Sequence, residues 1–308
     1  MQQIRNQTRV TATDGVLEAA AQLSAAARLG HPCASVAGLI GADDLEAGYA
    51  VQSLLLAERR DAGARSIGRT LRTGPTGPTG HDGLTAPGGP VGHVFGALLD
   101  DMVHTDTDTL VRDAFLAPRI TAAVAFVLTD DLPGPATTVI DVLRATAFLL
   151  PALEITDSRI APAASGRPTP ALAELAADNA GAAAVVLGTT PYGLTGRDLT
   201  EVALSLDRDG TPLASGIGAT AFGSPVRAVT WLARECARHG RPLAAGDVVL
   251  SGALTPSVAF DVPGRYRAEL PGLGHTEVRL LGRSRPAGSV RRASVPSALR
   301  RRAESPAA

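Results

Sequence analysis

The spacing of apolar residues changes character near residue 65, and that change limits what the chain can fold into. Before it, Val16, Ala20, Leu23 and Ala27 recur at helical spacing after Asp14, and Gly30 stops the run. Leu45, Tyr49, Gln52 and Leu56 repeat the pattern after Asp43 and Asp44, ending at Gly63. Beyond residue 65, short apolar runs are bounded by turn residues. Ile120–Leu128, Ala182–Leu187, Glu201–Leu206, Val248–Leu250 and Arg265–Leu270 have the length and content of strands. Two helical stretches interrupt them, Val139–Leu149 and Pro225–His239. Helices first and strands after predict a single α+β domain around a β core, not an alternating βαβ protein.

Residues 73–92 read TGPTGPTGHDGLTAPGGPVG. So much glycine and proline predicts a mobile loop or lid with no regular element. Residues 284–308 are rich in Arg, Pro, Ser and Ala and predict a disordered basic tail. The organisation expected is a helical segment over 1–64, a β-rich catalytic domain over 65–283, and the tail.

All 29 basic residues are arginine, which excludes a Schiff-base lysine and a lysine general base. The net charge of −1 gives no electrostatic footprint for nucleic acid or an anionic membrane. No apolar run approaches the ~20 residues that span a bilayer, and Met1–Val10 lacks a signal-peptide core, so a cytoplasmic protein is expected. Cys33 and Cys236 have no zinc-like spacing and read as reduced thiols. No Gly-x-Gly-x-x-Gly follows a strand, and no Walker motif is present.

Several blocks recur in a fixed order: Gly48-Tyr49-Ala50-Val51-Gln52; Phe95-Gly96-Ala97-Leu98-Leu99-Asp100-Asp101-Met102; Pro118-Arg119-Ile120; Leu153-Glu154-Ile155; Asp178-Asn179-Ala180; Gly223-Ser224-Pro225; and Gly246-Asp247-Val248-Val249-Leu250-Ser251-Gly252-Ala253-Leu254. Over residues 14–282 this order resembles the 2-oxopent-4-enoate hydratase and 4-oxalocrotonate decarboxylase family of the fumarylacetoacetate hydrolase superfamily. The resemblance implies an N-terminal helical segment, a mixed β-roll that opens into a pocket, and assembly into homo-oligomers. It also implies Mg²⁺ or Mn²⁺ held by three carboxylates, two from Pro-Arg-Ile-Glu-x-Glu and one from Leu-Glu-Ile.

Here the sequence departs from the family. Glu154 keeps its place, but the other two carboxylate positions are Thr121 and Ala123. The family's lysine aligns with Thr70, flanked by Arg69 and Arg72; an Asp before Phe-Gly is Val94, and a Ser after Asp-Asn-Ala is Gly181. One carboxylate and one hydroxyl are a poor Mg²⁺ site, so no cofactor is expected, with Mg²⁺ or Mn²⁺ as the alternative.

Glu154 then reads as the catalytic residue, a buried acid or base; the plainer reading pairs it with Arg119 or Arg159. Arg69, Arg72, Thr121, Ser251, Gly252, Ala253 and Leu254 read as substrate-binding, the arginines as clamps and the 251–254 turn through backbone N–H groups. His81, His93 and His104 read as incidental loop histidines, and Asp157-Ser158 lacks the surroundings of a nucleophile. These readings predict a metal-independent lyase, isomerase or cyclase acting on an enol or keto small molecule in secondary-metabolite biosynthesis. The alternatives are a metal-dependent hydratase or decarboxylase, and a non-catalytic partner subunit.

Overall fold

A computed structural model describes residues 13–75, 85–86, 89–162 and 170–282. Three helices come first: α1 (Asp14–Leu29), α2 (Ala37–Ile40) and α3 (Leu45–Asp61). Next are β1 (Ser66–Pro75), β2 (Thr85–Ala86), β3 (Gly89–Leu99), β4 (Val103–Thr105), β5 (Thr109–Val111) and β6 (Arg119–Leu128). The chain continues through α4 (Val139–Ala145), β7 (Thr146–Thr156), α5 (Leu172–Ala177), β8 (Ala182–Leu187), β9 (Ala203–Arg208), β10 (Thr211–Ile217) and α6 (Pro225–Arg238). It closes with β11 (Val248–Leu250), β12 (Val258–Ala259), β13 (Gly264–Leu270) and β14 (Gly274–Leu281).

Among the described residues the strands form two sheets. The larger runs β2-β3-β1-β11-β6-β7-β8-β4, with β12 added to β6, and the smaller runs β10-β9-β13-β14-β5. The class is α+β with a mixed sheet: β1–β11 and β4–β8 are parallel, while β6–β7 is antiparallel.

The long β6–β7 pair is buried on both faces, and strand alternation sends neighbouring residues to different cores. Ile120, Ala122, Val124 and Phe126 enter the main core with Leu149, Leu153 and Ile155. Ala123, Ala125 and Ala152 face the other way, into a smaller cluster with Leu98, Val185 and Leu250. Thr121 and Glu154, opposite each other in register, belong by alternation to that second face.

Helix α5 docks on β3 of this sheet, α3 packs against α5, and α1 packs against α3. Thr13 caps α1 and Asp44 caps α3, each accepting from a backbone N–H of the first turn. Gly48 lets α3 approach α5 closely, since a Cβ there would lie 2.4 Å from the Ala173 carbonyl oxygen. The buried Gln52 amide donates to the carbonyls of Phe95 at 2.9 Å and Ala176 at 3.0 Å, joining α3 to β3 and α5. Glu174 anchors the connector ahead of α2: its carboxylate accepts from Ser35 Oγ at 2.6 Å, Val36 N at 2.9 Å and Ala37 N at 3.2 Å, and from Ala171 N at 2.9 Å. Glu174→Ala strands these donors and is expected to cost roughly 3 kcal/mol in urea denaturation, with Glu174→Gln milder. Equal midpoints for wild type and Glu174→Ala would refute that role.

The structure departs from the sequence reading in places. The helix expected over Val139–Leu149 ends at Ala145, and β7 starts at Thr146. Thr146 Oγ1 donates to the Val142 carbonyl at 2.7 Å, and the following residues pair with β6. Cross-strand pairing overrides helical spacing here. The stretch 73–92 was expected to hold no regular element, yet β1 runs to Pro75 and β3 starts at Gly89, paired in register from Ser66 and Leu99 to Pro75 and Val91. Residues 76–84 and 87–88, His81 among them, lie outside the described residues, as does the 284–308 tail. No described helix is long and apolar enough to cross a membrane.

Candidate active site

A cavity of about 400 Å³, a size that suits a small molecule, lies against the large sheet and is lined by residues from both sides of its pleat. β1 presents Arg72 and Thr73, β3 presents His93, and the β6–β7 pair presents Thr121 and Glu154. The segment after β11 adds Ser251, Gly252 and Ala253, and the turn ahead of α6 adds Ala221 and Phe222.

Glu154 is 3 % exposed. Thr70 Oγ1 donates to its Oε1 at 2.5 Å. Burial pushes its carboxyl above the usual carboxylate range; the Thr70 hydrogen bond and the charge of Arg72 pull it back down. The partners Arg119 and Arg159 are engaged elsewhere: Arg119 Nε donates to Ser257 Oγ at 2.8 Å, and Arg159 is paired with Asp178. Arg72 is thus the countercharge that acts on Glu154. Gly181 leaves space beside the guanidinium; with a φ of +72°, a Cβ there would sit 3.9 Å from an Arg72 terminal nitrogen.

Thr121 Oγ1 is buried and has no hydrogen-bond partner. Leaving a buried hydroxyl unmatched costs about 1–3 kcal/mol, so this oxygen marks a place for a ligand. Ser251 is fixed from both sides, its N donating to the Val124 carbonyl at 2.9 Å and its Oγ accepting from Val124 N at 3.2 Å. Gly252, at a φ of +80°, turns the chain along the cavity wall.

Two of the residues taken as substrate-binding are not brought here. Arg69 is adjacent to Thr70 on β1 and so points to the opposite face, where it donates to Ser66 Oγ and the Gly68 carbonyl, both at 2.7 Å. Its charge acts on Arg241 and Cys236, not on Glu154. Leu254 is fully buried in the main core, not in the cavity wall.

His93, expected to be an incidental loop histidine, lies instead in strand β3. It is 8 % exposed, lies in the cavity wall, and sits opposite Thr73 in the β1–β3 register, with its Nδ1 2.9 Å from Thr73 Oγ1. Its neighbour on the chain, the Gly-rich stretch, looked like an exposed loop; only strand pairing puts the ring indoors. His104, 3.7 Å from Asp108, lies away from the cavity. Asp157 accepts from Leu116 N at 2.8 Å and Ala117 N at 2.6 Å, and Ser158 Oγ donates to the Ile160 carbonyl, so that pair closes turns.

No family model matches the chain. The sheets and their cavity define an α+β roll of the fumarylacetoacetate-hydrolase type, and solved structures share it. 4-Oxalocrotonate decarboxylase from Pseudomonas putida G7, complexed with magnesium and adipate, superposes with a TM-score of 0.75 at 23% identity, covering 86% of this chain and 97% of that one. Relatives in sequence narrow the class. The chain is 38% identical over 262 residues to the TodF product hydratase of Pseudomonas putida F1, covering 85% of this chain and 94% of the relative. It is 36% identical over 257 residues to the 2-keto-4-pentenoate hydratase of Paraburkholderia xenovorans LB400, covering 83% and 91%. The chain belongs to this hydratase family, within the fumarylacetoacetate hydrolase superfamily, and is an enzyme.

These relatives correct the functional expectation. A metal-independent cyclase of secondary metabolism is overturned by hydratases that match along most of the chain. The expectation of no cofactor is overturned by neighbours crystallised with magnesium, calcium, or, in fumarylpyruvate hydrolase from Pseudomonas aeruginosa, Mn²⁺ and pyruvate (TM-score 0.51, 17% identity, 70% of this chain and 90% of that one). Among the described residues no three His, Cys, Asp or Glu side chains cluster to hold a metal. The oxygen-bearing side chains paired in the β6–β7 register are Glu154, with its carboxylate, and Thr121, with its orphaned hydroxyl. That pair fits a divalent cation that takes the rest of its oxygens from ligand and water, as Mg²⁺ commonly does with one or two carboxylates.

Proposed function

We propose that the enzyme adds water to a short 2-keto-4-enoic acid such as 2-keto-4-pentenoate. The observation that carries this reading is one cavity in which a buried carboxylate, an unmatched hydroxyl and an arginine converge. The hydratase relatives agree with it.

The chemistry sets the demands on the site. In such an acid the C4=C5 double bond is insulated from the ketone by C3, so water does not add readily at C4. Moving a proton from C3 to C5 brings the double bond into conjugation; water then adds at C4 and C3 regains a proton. The enzyme must orient the acid, make the enolate accessible and carry protons. Arg72 suits the substrate carboxylate, which its planar fork can bind through paired hydrogen bonds. Ser251 and the backbone of the 251–253 turn line the wall where the chain reverses. Glu154 and Thr121 would hold the divalent cation, which when bound offsets negative charge on the keto-acid oxygens. Glu154 is thereby an anchor rather than a proton carrier.

The test is turnover of 2-hydroxypenta-2,4-dienoate, the enol form, followed by loss of dienol absorbance with Mg²⁺ or Mn²⁺ and again after EDTA. Saturable hydration abolished by EDTA is expected; no hydration with either metal would reject the reading. Arg72→Met is expected to raise KM on the order of 30-fold, the worth of a charge-assisted hydrogen bond of about 2 kcal/mol, with a smaller change in kcat. An unchanged KM would remove Arg72 from substrate binding.

A further inference from the structure

We infer that Phe222 selects the tail this cavity accepts, a short one without charge, so that the substrate is a monocarboxylic keto acid. The inference rests on the hydratase reading for the orientation of the acid and adds the residue that chooses its far end. In that reading Arg72 and the Glu154–Thr121 pair take the C1–C2 end, which carries the oxygens of the molecule. The C4–C5 end carries none and must lie against the wall that remains.

That wall is aromatic and fixed in place. Phe222 lines the cavity, and its ring centroid stands 4.3 Å from that of His93 on β3 and 5.7 Å from that of Trp231 on α6. Phe222 and Trp231 both pack against the main core. The backbone holds the ring as well. Phe222 has a φ of +53° and Gly223 one of +74°. Gly223 N donates to the Ala219 carbonyl at 3.0 Å and Ser224 N to the Ala221 carbonyl at 2.7 Å, which closes the turn ahead of α6. A left-handed backbone is costly for a residue with a side chain and persists only where the surroundings dictate it. Here they dictate an aromatic ring at the cavity wall.

A second carboxylate on the tail would lack a countercharge. Arg72 is the one arginine among the described residues that line the cavity, and lysine is absent from the chain. His93 does not supply the missing cation, because its Nδ1 lies 2.9 Å from Thr73 Oγ1 and its Nε2 is a buried atom. An uncompensated carboxylate held against Phe222 is unfavourable. A longer apolar tail runs into the same ring, which core packing keeps from yielding.

The experiment compares wild type, Phe222→Leu and Phe222→Ala in the presence of Mg²⁺. Calorimetry reads binding of 2-oxopentanoate, 2-oxooctanoate and 2-oxoheptanedioate, saturated acids that cannot be hydrated. Turnover is read on the dienols with the same three tails. Wild type is expected to favour the five-carbon acid over the eight-carbon acid and the diacid by about 10-fold or more, the scale on which an apolar pocket separates ligands. Phe222→Ala is expected to shift the eight- to five-carbon ratio about 10-fold toward the longer acid, and Phe222→Leu to shift it less, with the diacid poor throughout. Phe222→Leu keeps enough bulk to fold and carries the test if Phe222→Ala does not. This binding pattern without any hydration would sink the hydratase reading and leave Phe222 standing. An unchanged ratio in the variants, a wild type that prefers the diacid, or one that binds none of the three acids would overturn the inference on Phe222, whatever the outcome for hydration.

Discussion

Replacing Glu154 by Gln is expected to cut turnover on the order of 10³-fold, the scale of losing one preorganised electrostatic stabiliser, while making the metal-free protein more stable at neutral pH. The gain in stability follows from burial. The Glu154 carboxyl is held above its ordinary value of 4.5, first by desolvation, with Thr70 and Arg72 only partly compensating. A group whose folded pKa is raised gives stability that is complete below its unfolded pKa and is lost as pH climbs through the folded value. Wild type treated with EDTA should therefore fall behind Glu154→Gln as pH rises from about 4.5 into the neutral range, and the gap should close in mild acid. Magnesium or manganese should narrow the gap at neutral pH by binding the folded wild type and not the variant. Thermal unfolding across pH, with and without metal, measures all of this. Identical metal responses in the two proteins would show that Glu154 does not hold the cation.

Asp178→Ala is expected to destabilise the fold by about 3–5 kcal/mol, the largest stability effect we anticipate. Arg159 Nε and N both donate to the Asp178 carboxylate, and its terminal nitrogen donates to the Asp178 carbonyl at 2.7 Å. The pair ties the end of β7 to the end of α5, and the carboxylate side chain is only 2% exposed. Removing it leaves a guanidinium in a largely buried setting without its countercharge. Replacing both partners with apolar residues, as in Arg159→Met with Asp178→Leu, should recover much of the loss, because the cost lies in the uncompensated charge. Urea denaturation of the single and double variants gives the answer. A double variant no more stable than Asp178→Ala would mean that the backbone contacts, not the charge, carry the effect.

The family was legible because its blocks lie where the fold needs specific shapes. Gly48 fits against Ala173, Gln52 reaches two carbonyls, and Asn179 exchanges hydrogen bonds with Ala97 at 2.7 and 2.9 Å. Such residues are set by the scaffold whatever the reaction. The expectation of no cofactor, argued from one carboxylate and one hydroxyl, is the one that neighbours crystallised with divalent metals contradict, because residue type alone does not show how much of a cation's shell ligand and water can supply. Arg69 and Arg72 looked equivalent along the chain, whereas the pleat of β1 sends them to opposite faces.

By itself the sequence determined the α+β class, the helical start, the absence of lysine chemistry and the position of Glu154, since each follows from residue identity and local spacing. Tertiary structure alone decided that His93 is indoors beside Phe222 and Trp231, that Thr121 pairs in register with Glu154 while its hydroxyl is left unmatched, and that β7 is a strand from Thr146 onward. The reason is that strand register is a long-range property: it pairs residues far apart in the chain, and a shift of one position would turn every one of these side chains to the other face.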